Sequence, residues 1–432
     1  MAEMEIAKMA KKAKEAFLFL ASTPVSMRNQ ALIRIGERIL TEQEAILAAN
    51  KQDVEQAKKE NVSAPLLSRL ALTPEKCKRM VEGLNALAAL PDPLGQVEYA
   101  TEVAEGLRLY RTSCPMGVVG VVFESRPDAL VQISSLCLKS GNAVLLKGGR
   151  EAFQTNAALC QAILNATESV GLPPDWCGLL QSREDVAEML RQDEYIDLII
   201  PRGSNEFVKY IMEKSAIPVL GHADGICHVY VDEPCDIPLA VKVTVDSKAQ
   251  NLSVCNAAET LLVHREMAEK FLPMAARALR TKGISIRGDE KTRVWIDCDP
   301  ATEEDWRTEY LDAILSVKVV DSLDEAIAHI NQYGSGHTDC IVSGDDAHVR
   351  RFMAHVDSAG VYHNCSTRFA DGFLYGLGAE VGIATGKLHA RGPMGLEGLC
   401  TYKYKMFGQG HTLAELNEGK YSLIHRKLEG QS

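Results

Sequence analysis

Short apolar segments alternate with amphipathic segments from residue 117 onward, and this alternation restricts the possible folds more than any other feature. GVVGVVF (117–123), NAVLLK (142–147), YIDLII (195–200) and IPVLG (217–221) are rich in Val, Ile and Leu, and most of the segments between them have helical spacing. Near-continuous apolar strands that are joined by helices form parallel sheets with both faces covered. The sequence therefore predicts an α/β fold with a doubly wound parallel sheet.

A second region of the same kind begins at about residue 227, where HVYVD (228–232) and ETLLVH (259–264) have strand patterns. Residues 1–90 have the apolar spacing of helices. The segment 97–116 alternates around Glu105-Gly106, which is a hairpin signal, and residues 398–408 have the pattern of a further strand. Two α/β regions, a helical N-terminal part and a small antiparallel β-structure are therefore expected.

The charge and the cysteines limit the kinds of partner. The formal net charge of −11 argues against general binding to nucleic acid or to anionic membranes. The chain shows no signal-peptide pattern and no apolar run long enough to span a bilayer. The twelve cysteines have no zinc-site spacing, and several lie in apolar segments. We therefore expect a cytoplasmic protein without a metal, whose thiols are mostly reduced and buried.

Cys255 differs from the other cysteines in its surroundings. It follows a polar stretch that contains Gln250 and Asn251, and it comes just before a strand-like run, so that a substrate can reach it. A thiolate is a strong nucleophile, and cations or helix N-termini lower the pKa of the thiol. No acidic residue stands where a water-activating base would be expected, which favours transfer of an acyl group to something other than water. The alternative is a structural cysteine.

The dinucleotide-binding motif GxGxxG is absent, but the predicted strand NAVLLK ends in the tetrapeptide Lys147, Gly148, Gly149, Arg150. A ribose with a free 2′-hydroxyl usually meets an acid near such a strand end, whereas a 2′-phosphate meets cations. Lys147 and Arg150 therefore favour NADP(H) over NAD(H), and the two glycines allow close approach. The alternative is an ordinary charged loop.

Gly203 and Ser204 form a second candidate cofactor contact. They follow a predicted strand and open a predicted helix, whose N-terminus offers free N–H groups and a positive dipole end to a pyrophosphate. Ser is also a common helix cap, so a purely structural role stays open.

Five segments resemble the aldehyde dehydrogenase superfamily. They are GVVGVVFESRPDA (117–129), LLKGGREAFQTN (145–156), the Cys255 segment (245–264), VDSLDEAIAHINQYGSGHTDCI (320–341) and GAEVGIATGKLHARGPMGLEGL (378–399). The similarity extends over nearly the whole chain apart from its C-terminal end. More closely, the last two segments resemble the branch of the superfamily that reduces L-glutamyl 5-phosphate with NADPH in the biosynthesis of L-proline from glutamate.

This resemblance implies a reaction. Cys255 would attack the acyl phosphate, phosphate would leave, and reduction of the resulting thioester by NADPH would give L-glutamate 5-semialdehyde. Glutamate 5-kinase, which makes the labile substrate, would be a candidate partner for its handover. Two alternatives stay open, namely a CoA-acylating or hydrolytic aldehyde dehydrogenase and a catalytically silent scaffold subunit.

The resemblance also implies roles for further residues. Arg126 falls where the superfamily has an oxyanion-stabilising Asn, with a buried ion pair to Glu124 as the alternative. His222 falls where hydrolytic members have their water-activating Glu, and it would bind the leaving phosphate or close a turn. Asn251 would orient the thiol or the substrate.

Two more matches concern the cofactor and the substrate. Glu309 matches the acid that contacts the nicotinamide ribose, although the usual Phe-Gly-Pro after it is missing. His337, Thr338 and Asp339 lie in the signature GSGHTDC, where they would contact the glutamyl group or serve the fold.

In fold terms, the resemblance implies a Rossmann-type NADP-binding domain, an α/β catalytic domain that carries Cys255, and a small β-arm for oligomerisation. The NADP-binding domain would comprise 1–96 and 117–225, with part of 370–397, and the catalytic domain 226–369. The arm would consist of 97–116 paired with 398–410. Because such arms join subunits in the superfamily, a homodimer or homotetramer is expected.

Overall fold

The computed structural model describes residues 2–428 except 125, 223 and 378. The helices are α1 (Ala2–Leu20), α2 (Val25–Thr41), α3 (Gln43–Lys59), α4 (Ala64–Leu70), α5 (Pro74–Ala89), α6 (Pro127–Lys139), α7 (Phe153–Glu168), α8 (Arg183–Met189), α9 (Asn205–Lys214), α10 (Ile237–Ala249), α11 (Arg265–Thr281), α12 (Leu323–Tyr333), α13 (Asp346–His355) and α14 (Leu413–Asn417). The strands are β1 (Val97–Ala104), β2 (Leu107–Pro115), β3 (Val118–Val122), β4 (Ala143–Lys147), β5 (Cys177–Leu179), β6 (Leu198–Pro201), β7 (Cys227–Val231), β8 (Ala258–His264), β9 (Ser285–Gly288), β10 (Asp299–Pro300), β11 (Ile314–Val320), β12 (Thr338–Val342), β13 (Gly360–His363), β14 (Gly382–Ala384), β15 (Gly392–Met394), β16 (Cys400–Phe407) and β17 (Arg426–Lys427).

The first large sheet contains four parallel strands in the order β5-β4-β3-β6. The chain runs from β3 to β4 and β5 on one side and then returns to β6 on the other side of β3. Ligands of such sheets bind outside the carboxyl ends of the strands at this point of reversal. Residues 202–205, directly after β6, and Arg126, shortly after β3, therefore border the expected crevice.

The second large sheet contains seven parallel strands in the order β10-β9-β11-β8-β7-β12-β13. Its two faces have separate cores. Helices α10 and α11 cover one face, with Phe271 at the centre, and helices α12 and α13 cover the other, with Phe352. The predicted α/β class with parallel sheets is confirmed.

The carboxyl edge of the first sheet meets the amino edge of the second. Asn205, just after β6, donates through Nδ2 to Glu309 Oε2 (2.6 Å) and to Asp224 Oδ1 (2.8 Å). Glu309 lies ahead of β11, and Asp224 lies ahead of β7. Loops from the two sheets therefore meet at these contacts.

The prediction of a strand at 217–221 is wrong. Within this segment only Val219 pairs, in an isolated parallel bridge to Ile199. Pro218 has no N–H group to donate to a ladder, which limits strand formation there.

The small antiparallel sheet has the order β16-β2-β1-β17. Strands β1 and β2 form a hairpin whose turn places Gly106 at φ 78°, a left-handed conformation that favours glycine. Strand β16 pairs with β2 from Cys400↔Pro115 to Phe407↔Arg108, as the expected arm requires. The C-terminal strand β17, which covers the outer edge of β1, was not anticipated. That the arm joins subunits stays a prediction.

Within the described residues, no helix combines the length and the apolar character needed to cross a membrane.

Candidate active site

Residues 251–257, which we call the nucleophile loop, carry the half-buried Cys255 between α10 and β8. A fully buried ion pair from Lys248 Nζ to Glu259 Oε2 (2.5 Å) ties the end of α10 to the start of β8. Thr367 Oγ1 donates to Asn256 O (2.7 Å) and holds the loop from another segment of the chain. Distant groups therefore fix the position of the thiol.

Gly225 packs directly against the nucleophile. A Cβ atom at this position would lie 2.3 Å from Cys255 O and 2.7 Å from Cys255 Cβ, so that only glycine fits without moving the loop. Cys227, two residues further on, donates through Sγ to Cys255 O (3.3 Å). Sequence reasoning missed Gly225, and the only signal was a glycine just before a buried strand.

Two histidines adjoin the thiol. His337 Nε2 lies 3.2 Å from Cys255 Sγ, and His337 Nδ1 lies 2.9 Å from Thr338 Oγ1. His222 Nδ1 donates to Ile383 O (2.9 Å), and the His222 and His337 rings meet edge to face with centroids 5.1 Å apart. The structure thus brings His222, Cys255 and His337 together from the amino edges of β7, β8 and β12.

Burial disfavours the charged forms of both the Cys255 thiol and the neighbouring imidazole of His337. Burial and the charges of Glu309 and Glu380 raise the pKa of Cys255 to about 12, although Arg202 opposes this shift. Burial and the neighbouring His222 lower the pKa of His337 to about 3. These shifts favour the protonated thiol of Cys255 over a preformed thiolate.

Two carboxylates, Glu309 and Glu380, lie near the thiol. No acid was expected in the place of a water-activating base, and Glu309 was expected at the cofactor. Both Glu309 and Glu380 are close enough to Cys255 to raise its pKa. Glu309 Oε2 accepts a hydrogen bond from Asn205, and Glu380 Oε2 accepts one from the Gly372 N–H (2.9 Å). Burial raises the pKa of Glu380, so that its ionised form is disfavoured.

Two arginines offset these negative charges. Arg202 follows β6, and burial lowers its pKa while Glu380 and Cys255 raise it. Burial also lowers the pKa of Arg368, which Cys255 in turn raises, and Arg368 Nε donates to Gln250 Oε1 (2.9 Å). Sequence reasoning missed both, although Arg202 directly precedes the selected Gly203 and Ser204. An anionic ligand at Cys255 would find both cations nearby.

Arg126 and Asn251 lie at the margin of the site. Arg126 is exposed and pairs with Asp128 (3.0 Å), so that the alternative of a buried ion pair with Glu124 is wrong. Asn251 is exposed, and its Oδ1 accepts a hydrogen bond from the Ser253 N–H (3.2 Å). Arg126 is near enough to Arg202 to lower the pKa of that residue.

Thr338 and Asp339 are buried parts of the fold. Asp339 Oδ1 accepts a hydrogen bond from the His228 backbone N–H and also lies 2.8 Å from His228 Nδ1. Asp339 Oδ2 accepts a hydrogen bond from Ser358 Oγ. With both oxygens engaged and no exposed surface, the Asp339 carboxylate is not free to bind a glutamyl group. Thr338 instead contacts His337, as described above.

The cofactor loop, residues 147–150, begins with the last residue of β4. Lys147 is buried, its Nζ donates to Gly148 O (2.5 Å), and burial lowers its pKa. Arg150 points outward, 85% exposed, and pairs with Glu60 (3.0 Å). A Cβ at Gly148 would lie 2.2 Å from Asn156 Nδ2, whereas a Cβ at Gly149 would meet only the flexible Glu151 side chain. The two cations thus point in different directions.

Gly203 and Ser204 lie where the sequence predicts them, at the start of α9. Ser204 is the N-cap residue, and its side chain makes no capping hydrogen bond. Glu309 lies within hydrogen-bonding distance of this helix start through Asn205.

A model of the aldehyde dehydrogenase family matches residues 1–295 and 294–379, which together cover most of the chain. The chain therefore belongs to the aldehyde dehydrogenase family, as its five segments suggested.

Among its relatives is the gamma-glutamyl phosphate reductase of Pelotomaculum thermopropionicum, which is 55% identical over 425 residues, 98% of each chain. The gamma-glutamyl phosphate reductase 1 of a Synechocystis strain is 54% identical over 421 residues, 97% of each chain. The crystal structure of gamma-glutamyl phosphate reductase from Thermotoga maritima superimposes with a TM-score of 0.93 at 41% identity, covering 94% of this chain and 99% of that one.

Proposed function

We propose that the chain reduces L-glutamyl 5-phosphate to L-glutamate 5-semialdehyde and phosphate with NADPH, in the biosynthesis of L-proline. The observation that carries this proposal is the 55% identity over 98% of both chains to a gamma-glutamyl phosphate reductase. The arrangement around Cys255 gives it chemical support.

The first step is attack by Cys255 Sγ on the acyl carbon of the substrate. The new C–S bond replaces the C–O bond to the phosphoryl group, and a thioester forms. The thiol proton passes by way of His337 Nε2, 3.2 Å away, to the departing phosphate. Phosphate is itself a base and is the final acceptor of this proton, because burial lowers the pKa of His337 and makes its protonated form unfavourable.

Arg202 and Arg368 supply the charge that this step needs. The acyl phosphate is a dianion at its phosphoryl end, and guanidinium groups bind such oxygens through paired, charge-assisted hydrogen bonds. The same two cations oppose the carboxylates that disfavour the thiolate of Cys255. Arg126, which is exposed at the mouth of the site, is suited to meet the incoming phosphate or the developing oxyanion.

The residues around the first sheet fit a nicotinamide dinucleotide. The uncapped start of α9 at Gly203 and Ser204 leaves N–H donors for a pyrophosphate, and these lie at the point of strand reversal. Glu309 is suited to accept from the nicotinamide ribose, and Arg150 is the exposed cation suited to a ribose 2′-phosphate. Bound there, NADPH supplies the hydride that reduces the thioester.

His222 explains why the thioester would be spared from water. Its Nδ1 donates to Ile383 O, which holds the ring at the position where hydrolytic members of the superfamily have a glutamate. In this orientation the ring offers one acceptor atom, Nε2, where a carboxylate would offer two oxygens to a water molecule. We expect His222→Glu to shift the product ratio from reduction to hydrolysis.

We also propose that the arm joins subunits. Strand β16 is an edge strand, and Tyr402, Tyr404 and Met406 on it are 49%, 59% and 56% exposed. Exposed Tyr and Met side chains on an edge strand offer a surface for contact with another chain. Light scattering at micromolar protein concentration should give a dimer or a tetramer, and a monomeric mass contradicts the proposal.

The function is tested by incubating the purified chain with the semialdehyde and NADP⁺, with and without phosphate. The proposal requires that NADPH forms only when phosphate is present. Formation that depends on CoA instead would identify a CoA-acylating enzyme, and formation with neither acceptor would identify a hydrolytic one.

A further inference from the structure

Three metal-binding donor atoms converge at the amino edge of the second sheet. One donor atom each of His222, Cys255 and His337 lies within 4.8 Å of the other two. His337 Nε2 and Cys255 Sγ are 3.2 Å apart. The three residues come from well-separated parts of the chain, which is why the spacing of the cysteines gave no sign of a metal site.

Hydrogen bonds orient both imidazoles for a ligand. A carbonyl oxygen can only accept, so His222 Nδ1 carries the proton that it donates to Ile383 O, and its Nε2 keeps a free lone pair. His337 Nδ1 is engaged with Thr338 Oγ1, which turns Nε2 toward the thiol. Histidines that bind metals are held in this way, with the second ring nitrogen bonded to an oxygen.

We propose that His222 Nε2, His337 Nε2 and Cys255 Sγ bind one Zn²⁺ ion reversibly, and that the bound ion switches the nucleophile off. Zn²⁺ replaces the thiol proton, which passes to solvent, and the sulfur lone pair that attacks a substrate becomes a metal bond. A water molecule completes the tetrahedron, as in zinc sites with three protein ligands.

The geometry is close to what zinc needs. Bond lengths of about 2.0–2.3 Å place tetrahedral ligand atoms about 3.4–3.7 Å apart, so that donor atoms within 4.8 Å of one another have to approach by at most about 1 Å. His222 and Cys255 are half-buried, which leaves the ion a way in. The negative charges of Glu309 and Glu380 favour a cation at the sulfur, whereas the positive charge of Arg202 repels one. We therefore expect zinc binding that a chelator reverses.

Binding can be tested with Co²⁺, which occupies zinc sites and shows a thiolate-to-cobalt charge-transfer absorption. The full chain should develop this band with one equivalent of Co²⁺ and lose it on addition of Zn²⁺. Cys255→Ser should abolish the band. Cys298→Ser, which removes a half-buried thiol elsewhere in the second sheet region, should leave the band unchanged.

His222→Asn tests the histidine. Asparagine can still donate to Ile383 O from a position close to that of Nδ1, but it lacks the Nε2 donor atom. Co²⁺ affinity should fall by at least about tenfold, with the thermal unfolding temperature as a check on the fold.

The proposal concerns binding and does not depend on the proposed reaction. A charge-transfer band that survives in Cys255→Ser would place the ion elsewhere and overturn it, as would full affinity in His222→Asn or the absence of a band in the unmodified chain. In the same samples, Zn²⁺ should protect Cys255 from iodoacetamide until a chelator is added, and equal alkylation with and without Zn²⁺ contradicts the switch.

Discussion

The nucleophile loop and the cofactor loop were both identified from short polar motifs beside a strand, but they are held in different ways. The nucleophile loop is fixed by Gly225, Cys227 and Thr367, all distant in sequence, and by the ion pair between Lys248 and Glu259. In the cofactor loop, by contrast, Lys147 bonds to its own neighbour, and Arg150 extends outward to Glu60.

This difference separates two kinds of functional residue. The reactivity of Cys255 depends on side chains from at least three other segments, because burial and surrounding charges set its pKa. The cofactor loop contributes mainly a close backbone approach and one exposed cation. Changes around the nucleophile loop should therefore reduce turnover, and changes in the cofactor loop should alter cofactor affinity.

The largest effect is expected when the nucleophile itself is removed. Cys255→Ala leaves no group that can form the thioester, so kcat should fall by at least about 10⁴-fold. The assay is phosphate-dependent NADP⁺ reduction by the semialdehyde. Cys298→Ala is the matched control and should keep near-normal activity. Residual activity within tenfold of the original would mean that Cys255 is not the nucleophile.

The next effect tests whether distant residues position the loop. Gly225→Ala introduces a Cβ that would overlap Cys255 O at 2.3 Å, so that the loop has to move. A displacement of about 1 Å costs about 100-fold in rate, and we expect a loss of that size in kcat with little change in cofactor KM.

Gly83→Ala is the control for this substitution. Gly83 lies inside α5 with nothing within 4 Å of the added Cβ, so the change should leave activity intact and stabilise the helix by about 0.5–1 kcal/mol. Equal activity of Gly225→Ala and Gly83→Ala would show that the loop accommodates the methyl group freely.

The difference between the nucleophile loop and the cofactor loop also shows how much of the fold and of the site could be predicted from the sequence. The alternation of strands and helices is a local pattern, so the α/β class and the β1–β2 hairpin were predictable. Cys255 stood out by its polar surroundings. Gly225, Arg202 and Arg368 did not, because their importance arises only when separate loops meet. The burial of Asp339 was likewise invisible, since its partner His228 lies far away in the chain.

A smaller effect is expected in the cofactor loop. Arg150→Ala removes the exposed cation that we assign to the ribose 2′-phosphate, and KM for NADPH should rise about tenfold, the loss of one charge-assisted hydrogen bond. kcat should stay unchanged, and KM for NADH should not move because NADH has no 2′-phosphate.

Glu60→Gln tests the role of Arg150 by removing the charge of its ion-pair partner. It releases Arg150 from its ion pair and should lower KM for NADPH slightly or leave it unaltered. If Arg150→Ala raises KM for NADH and NADPH equally, the cation does not read the phosphate, and the loop acts through its backbone alone.

The smallest effect concerns a single hydrogen bond at the nucleophile. Thr338→Val keeps the shape of the side chain but removes the hydroxyl that orients His337 Nδ1. A neutral hydrogen bond contributes about 1 kcal/mol, so kcat should fall about fivefold while KM for substrate and cofactor stay constant.

Thr338→Ser retains the hydroxyl and should restore most of the rate. A purely structural role predicts instead that both variants lose stability together and that kcat per folded molecule is unchanged. Steady-state rates normalised to the folded fraction distinguish these outcomes. They show whether the reactivity of Cys255 depends on the Thr338 hydroxyl, which contacts Cys255 only through His337.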